Sequence, residues 1–185
     1  MSLTPSNLLP LGTPAPFFEL NDVISKRRFS SDDVKGKNGL VIYFISVHCP
    51  YVIHVQNELV KIAHEYLKSD IGFIAISSND TIKYPADSPE NMKDQAETVG
   101  FNFPYLFDET QEVAKAYQAA CTPDIYVFDA ELQCYYRGRL DEATPGNSKP
   151  IDGRDLRFAL DGLLAGKSIP ANQYPSMGCN IKWKS

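Results

Sequence analysis

The chain has 185 residues, and 18 basic against 23 acidic side chains leave a net charge of −5 and a pI near 5.2. That acidity, with no long basic run, argues against nucleic acid or an anionic membrane as the main partner, and no segment reaches the ~18 consecutive apolar residues of a spanning helix. Apolar residues at 43% and charged residues at 22% are the balance of a globular protein, and at ~100–200 residues per domain they predict one domain over residues 1–185.

The stretch from Leu11 to Asp22 is rich in Pro and turn formers and is expected to lie against the domain surface. Leu40 to Ser46 is a continuous apolar run of β-formers, the pattern of a strand buried on both faces. Pro50 follows Cys49 at a good first helical position, and Val52, Val55, Leu59, Ile62, Ala63 and Tyr66 recur at helical spacing. Ile71–Ser77 is a second buried strand. Ser88-Pro89 reads as an N-cap and first helical residue of a helix to about Thr98. Pro104–Phe107 is a short strand, and Asp108 and Thr110 offer caps for a helix through Tyr117. Asp124–Phe128 and Gln133–Arg137 form a hairpin, Leu156 to Leu164 marks a last helix, and an irregular tail is expected from about Ser168. This order describes an α/β fold of thioredoxin-like type: a mixed central β-sheet flanked by helices on both faces.

Four cysteines remain to be explained: Cys49, Cys121, Cys134 and Cys179. Residues 1–12 lack the basic and apolar regions of a secretory leader, so a cytoplasmic location is the expectation. In that reducing compartment a disulfide scaffold is disfavoured, and no two cysteines have zinc-ligand spacing. Cys49 stands where a buried strand hands over to a helix, and free N–H groups and the helix dipole there stabilise a thiolate. The plainer reading is a small buried apolar residue. His48 precedes it and packs or orients beside the thiol. Thr122-Pro123 stands just before a strand, an entry position where a cis bond would leave Thr122 backbone groups free for an extended disulfide substrate.

Gly12-Thr-Pro-Ala-Pro-Phe-Phe-Glu-Leu20, the Val41–Ser46 strand, His48-Cys-Pro-Tyr-Val52 and Thr122-Pro123 together resemble the thioredoxin superfamily. More closely, the chain is similar to its peroxiredoxin-like branch, the alkyl hydroperoxide reductase/thiol-specific antioxidant family with its redoxin domain. Ser78-Asn-Asp80, Tyr84 to Pro89, Phe103 to Ala114, Tyr136 to Asp141 and Gly178 to Trp183 extend the likeness over nearly the whole chain. The resemblance implies an antioxidant thiol oxidoreductase without cofactor or metal, acting on a peroxide or disulfide and recharged by a thiol reductant such as thioredoxin, in a monomer or homodimer. Its site residues would be Cys49 as attacking thiolate, with His48, Pro50, Thr122 and Pro123 binding substrate.

Two departures stand out. A dithiol reductase carries Cys-x-x-Cys, and here Val52 takes the second place. In the peroxidase motif Ser46 fits the hydroxyl position, but Ile42 stands where a proline belongs. Arg137 or Arg139 would supply the cation for the thiolate. For resolution Cys121 comes first, because the Thr-Pro turn lies beside the helix start, and Cys179 on the tail second; Cys134 reads as core. Three other readings stay open: a disulfide reductase without peroxidase activity, a thioredoxin-fold copper protein, and a redox-silent interaction domain rich in tyrosine. The copper site would need Cys49, Cys121 and a histidine to converge.

Overall fold

The computed structural model describes residues 3–170 and 172–184. In chain order its elements are β1 (Leu3–Pro5), β2 (Glu19–Asp22), β3 (Arg28–Ser30), α1 (Ser31–Val34), β4 (Gly39–Phe44), α2 (Pro50–Tyr66), β5 (Ile71–Ser77), α3 (Pro89–Val99) and β6 (Tyr105–Phe107). There follow α4 (Glu112–Ala116), β7 (Cys121–Thr122), β8 (Asp124–Phe128), β9 (Cys134–Gly138), α5 (Arg154–Leu164) and β10 (Met177–Asn180).

Seven strands form the central sheet in the order β3-β2-β6-β5-β4-β8-β9. The early βαβ unit makes β4 and β5 parallel, and the later hairpin makes β8 antiparallel to both β4 and β9. The sheet is therefore mixed, as the element order predicts. Every residue of β4 is buried. Val41, Tyr43 and Ile45 pack with the inner faces of α2, α3 and α5, while Leu40, Ile42 and Phe44 pack with α4 and with Leu9 and Phe18 of the N-terminal stretch. That stretch thus supplies core residues to the sheet's second face, although its Pro-rich composition predicts only a surface path.

α2 buries the six residues its periodicity singles out: Val52, Val55, Leu59, Ile62, Ala63 and Tyr66. Ser88 caps α3 as predicted, its hydroxyl accepting from the Asn91 N–H at 3.3 Å, with Pro89 in the first turn. Replacing Ser88 by alanine is expected to cost about 1 kcal/mol in urea unfolding; an unchanged midpoint would show that the cap adds nothing here.

The C-terminal tail departs from expectation. Residues 177–180 are a strand, β10, held between β1 and β7 in a second, three-stranded sheet. Met-Gly-Cys-Asn has weak strand propensity, so only the backbone edges waiting on either side make it a strand.

Candidate functional site

Cys49 occupies the N-cap of α2 in extended conformation, with Pro50 opening the helix. The buried β4 brings the chain to this point and ends at Phe44, so residues 45–48 form the turn on which the thiol is displayed. One side chain shapes that turn. The fully buried Asp87 accepts through Oδ1 from the N–H groups of Val47 (2.8 Å) and His48 (3.2 Å), and through Oδ2 from Asn79 Nδ2 at 2.7 Å. His48 Nδ1 lies 2.6 Å from Asp87 Oδ2, and its ring stacks parallel to Tyr84 with centroids 6.0 Å apart. His48 therefore packs between Asp87 and Tyr84 next to Cys49 in the chain.

Thr122-Pro123 is cis and faces Cys49. The Cys49 thiol donates to the Thr122 carbonyl at 3.1 Å, and the buried hydroxyls of Ser46 and Thr122 are 3.2 Å apart. Ser46, Cys49, Thr122 and Pro123 are therefore brought together.

The sulfur nearest Cys49 belongs to Cys179. The two Sγ atoms are 2.8 Å apart, both residues are buried, and all four cysteines are free thiols. By proximity Cys179 precedes Cys121, the first choice of the sequence: Cys121 turns its Sγ towards the Pro123 carbonyl at 3.7 Å, and β7 presents its backbone to β10 instead. Cys179 sits opposite Thr122 in that pairing, which sets its side chain over Cys49. Burial, and next the Cys49 thiol, push the Cys179 thiol up to about 12, against smaller opposing pulls from Lys182 and the Tyr51 N–H. Burial raises the Cys121 thiol further still. Cys134 is core, its thiol raised to about 12 mainly by burial.

Arg137 also falls elsewhere. It lies in β9, beyond β8, and its guanidinium donates to the Leu9 carbonyl and to Gln173 Oε1, each at 2.8 Å. Arg139 is held by Asp155 at 2.6 Å and stacks over Tyr174. The cation that bears on Cys179 is Lys182, a small downward pull that propensity and spacing do not reveal. Its Nζ donates to the Asn180 carbonyl and Oδ1 and lies 5.7 Å from the Tyr84 ring centroid.

The segment that brings Cys179 and Lys182 in is clamped by polar groups. The Asp80 N–H donates to the Lys182 carbonyl, and the Lys182 N–H donates to Asn79 Oδ1, each at 2.8 Å. The buried Gln111 donates to the carbonyls of Ser78 and Lys182 and accepts from the Lys184 N–H. Ser78-Asn-Asp80 and the Tyr84–Pro89 run are therefore the motifs that tie the tail and the Cys49 turn together. Among the described residues no group of three or more His, Cys, Asp or Glu side chains is arranged to hold a metal ion. Tyr43, Tyr105 and Tyr126 are core residues.

Comparison with known proteins bears on this geometry. A crystal structure of an uncharacterized conserved protein from Geobacillus kaustophilus shares 54% identity over 100% of this chain and 97% of that one, with a TM-score of 0.97. A hypothetical protein from Sinorhizobium meliloti shares 42% identity over 98% of this chain and 99% of its own, with a TM-score of 0.95. Peroxidoxin BcpB from Mycobacterium tuberculosis, at 17% identity and a TM-score of 0.65 over 85% of this chain and 98% of its own, shares the fold. No curated protein matches the chain. Residues 11–137, which carry the central sheet, the Cys49 turn and the cis proline, match the AhpC/TSA family, and with a buried thiol at a strand-to-helix junction facing that proline, the chain belongs to this family of thiol-dependent oxidoreductases.

Proposed function

We propose that the protein is a thiol peroxidase that reduces a hydroperoxide with Cys49 and resolves the product with Cys179 of the same chain. One observation carries this reading: Cys179 Sγ lies 2.8 Å from Cys49 Sγ at the start of α2. With its pKa up near 12, Cys179 keeps its proton at neutral pH, which leaves the nucleophile's part to Cys49.

In the first step the Cys49 thiolate attacks one peroxide oxygen. The O–O bond breaks, an S–O bond forms, the sulfur is oxidised by two electrons to a sulfenic acid, and the departing alkoxide takes up a proton as an alcohol or water. The Ser46 and Thr122 hydroxyls, 3.2 Å apart, would hydrogen-bond the peroxide. Cys179 Sγ then attacks the Cys49 sulfur; the S–O bond breaks, the S–S bond forms, and the thiol proton leaves with the hydroxide as water. An external dithiol restores both thiols by exchange. Val52 supports the peroxidase over the dithiol reductase, because it removes the local second cysteine.

The test is consumption of hydrogen peroxide with a dithiol donor by wild type and Cys49→Ser. Wild type is expected to turn over and the variant to fall to the enzyme-free rate, with a Cys49–Cys179 peptide found by mass spectrometry after one equivalent of peroxide. A Cys49→Ser rate equal to wild type would overturn the reading.

A further inference from the structure

An extended polypeptide disulfide that presents its sulfur to Cys49 needs a backbone edge to lie against. The backbone that meets the thiol is that of Thr122, whose carbonyl is 3.1 Å from Cys49 Sγ. The sequence alone leaves that edge open for substrate. In the folded chain it is taken. β10 runs antiparallel along it, with Cys179 opposite Thr122 and Asn180 opposite Cys121, and the Ile181 N–H continues the pairing to the Ala120 carbonyl at 3.0 Å. The far edge of β10 is covered in turn by β1, from Leu3 opposite Cys179 to Pro5 opposite Met177.

The fit depends on Gly178. A Cβ at this position would stand 2.0 Å from the Thr122 carbonyl oxygen and 3.3 Å from Pro123 N, so only a residue without a side chain lets the two backbones approach this closely. Asn79, Asp80 and Gln111 pin the strand beyond its C-terminal end. Cys49 is fully buried beneath it. The space left beside Pro123 is a cavity of about 100 Å³ lined in part by Tyr51, Val55, Pro123, Ser176 and Met177.

We propose that β10 is a built-in occupant of the polypeptide-docking edge, restricting Cys49 to small oxidants, hydroperoxides or low-molecular-weight disulfides, and closing it to disulfides carried on extended polypeptides. This rests on Cys49 being the redox thiol. It adds that the same strand which delivers the resolving sulfur also sets the substrate class. A polypeptide disulfide reacts only after β10 opens locally, and its rate is scaled down by the population of that open form.

The experiment measures loss of the Cys49 thiol, by acid quench and mass spectrometry, with three probes: hydrogen peroxide, glutathione disulfide, and an unstructured ten-residue peptide disulfide-linked to a second copy of itself. Wild type is expected to react with the first two and about 100-fold more slowly with the peptide than with glutathione disulfide, as the peptide waits on local opening. Gly178→Val, which forces the strand off Thr122, is expected to narrow that gap at least about tenfold. Gln111→Ala, which frees residues 182–184 while leaving the Gly178 contact in place, is expected to narrow it in the same direction should the valine variant not fold. A peptide rate equal to that of glutathione disulfide in wild type overturns the restriction while leaving the redox role of Cys49 standing. A Cys49 inert to all three probes overturns the redox role and the restriction with it.

Discussion

Replacing Cys179 by serine is expected to leave the first reaction with peroxide intact and to stop turnover after it. The serine hydroxyl fits the place of the thiol on β10, so the Cys49 site keeps its shape, but the sulfenic acid has no sulfur to condense with. In wild type that condensation occurs between two atoms already 2.8 Å apart. A positioned neighbour of this kind reaches an effective concentration far above that of any added thiol, so at ~1 mM external thiol the steady-state rate should fall at least ~100-fold. The check is a trapped Cys49 sulfenic acid, labelled by dimedone, together with single-turnover peroxide loss at the wild-type rate. Cys121→Ser is the control: its thiol points at the Pro123 carbonyl and burial holds it well above the usual cysteine range, so turnover should persist. Persistence in Cys179→Ser with loss in Cys121→Ser would return the resolving role to Cys121.

The second large effect concerns stability and pH. Asp124 follows Pro123 at the start of β8 and is fully buried; burial pushes its carboxyl up to about 7, only partly offset by hydrogen bonds such as that from the Tyr126 hydroxyl at 3.1 Å. The unfolded chain gives up the same proton near 3.8. Between those values the native state holds a proton that the unfolded state has lost, so stability falls as pH rises through the window, and above it the whole penalty is felt. At about 1.4 kcal/mol per unit the loss from pH 5 to pH 8 is about 3 kcal/mol. Asp124→Asn, a stand-in for the neutral acid, should remove that part of the slope and be the more stable protein at pH 8. Urea titrations of both proteins at pH 5 and 8 decide it, and parallel losses in the two would refute the assignment. The Asp124 charge is also the second cause of the raised Cys121 thiol, after burial, which keeps that sulfur protonated beside the redox pair.

The central sheet was legible in the sequence because its strands and helices carry their own periodicity. Leu40–Ser46 and Ile71–Ser77 are apolar runs that no solvent-facing element would tolerate, and the inward residues of α2 follow from spacing alone. Cys49 and the Thr122-Pro123 turn were legible for the same reason: each stands at the end of an element whose direction is already known. Apart from β6, the short strands were not. β1, β2, β3 and β10 have three or four residues apiece, too few to show an alternation, and they exist by pairing with edges supplied from elsewhere in the chain.

The site divides along the same line. An arginine on a predicted strand is a reasonable cation for a thiolate, yet Arg137 is one strand too far out and spends its donors on Leu9 and Gln173. The cation that pulls on Cys179, weakly, is Lys182, from a tail that periodicity describes as irregular. By itself the sequence determined the α/β layering, the thiol at the head of α2 and the proline opposite it, since these depend on contacts within each element and its immediate neighbour. The tertiary structure alone decided which cysteine meets Cys49 and what covers the Thr122 edge. Both depend on Gly178 and on the bonds of Asn79 and Gln111 to Lys182, which join residues 103 and 71 positions apart and leave no local pattern to read.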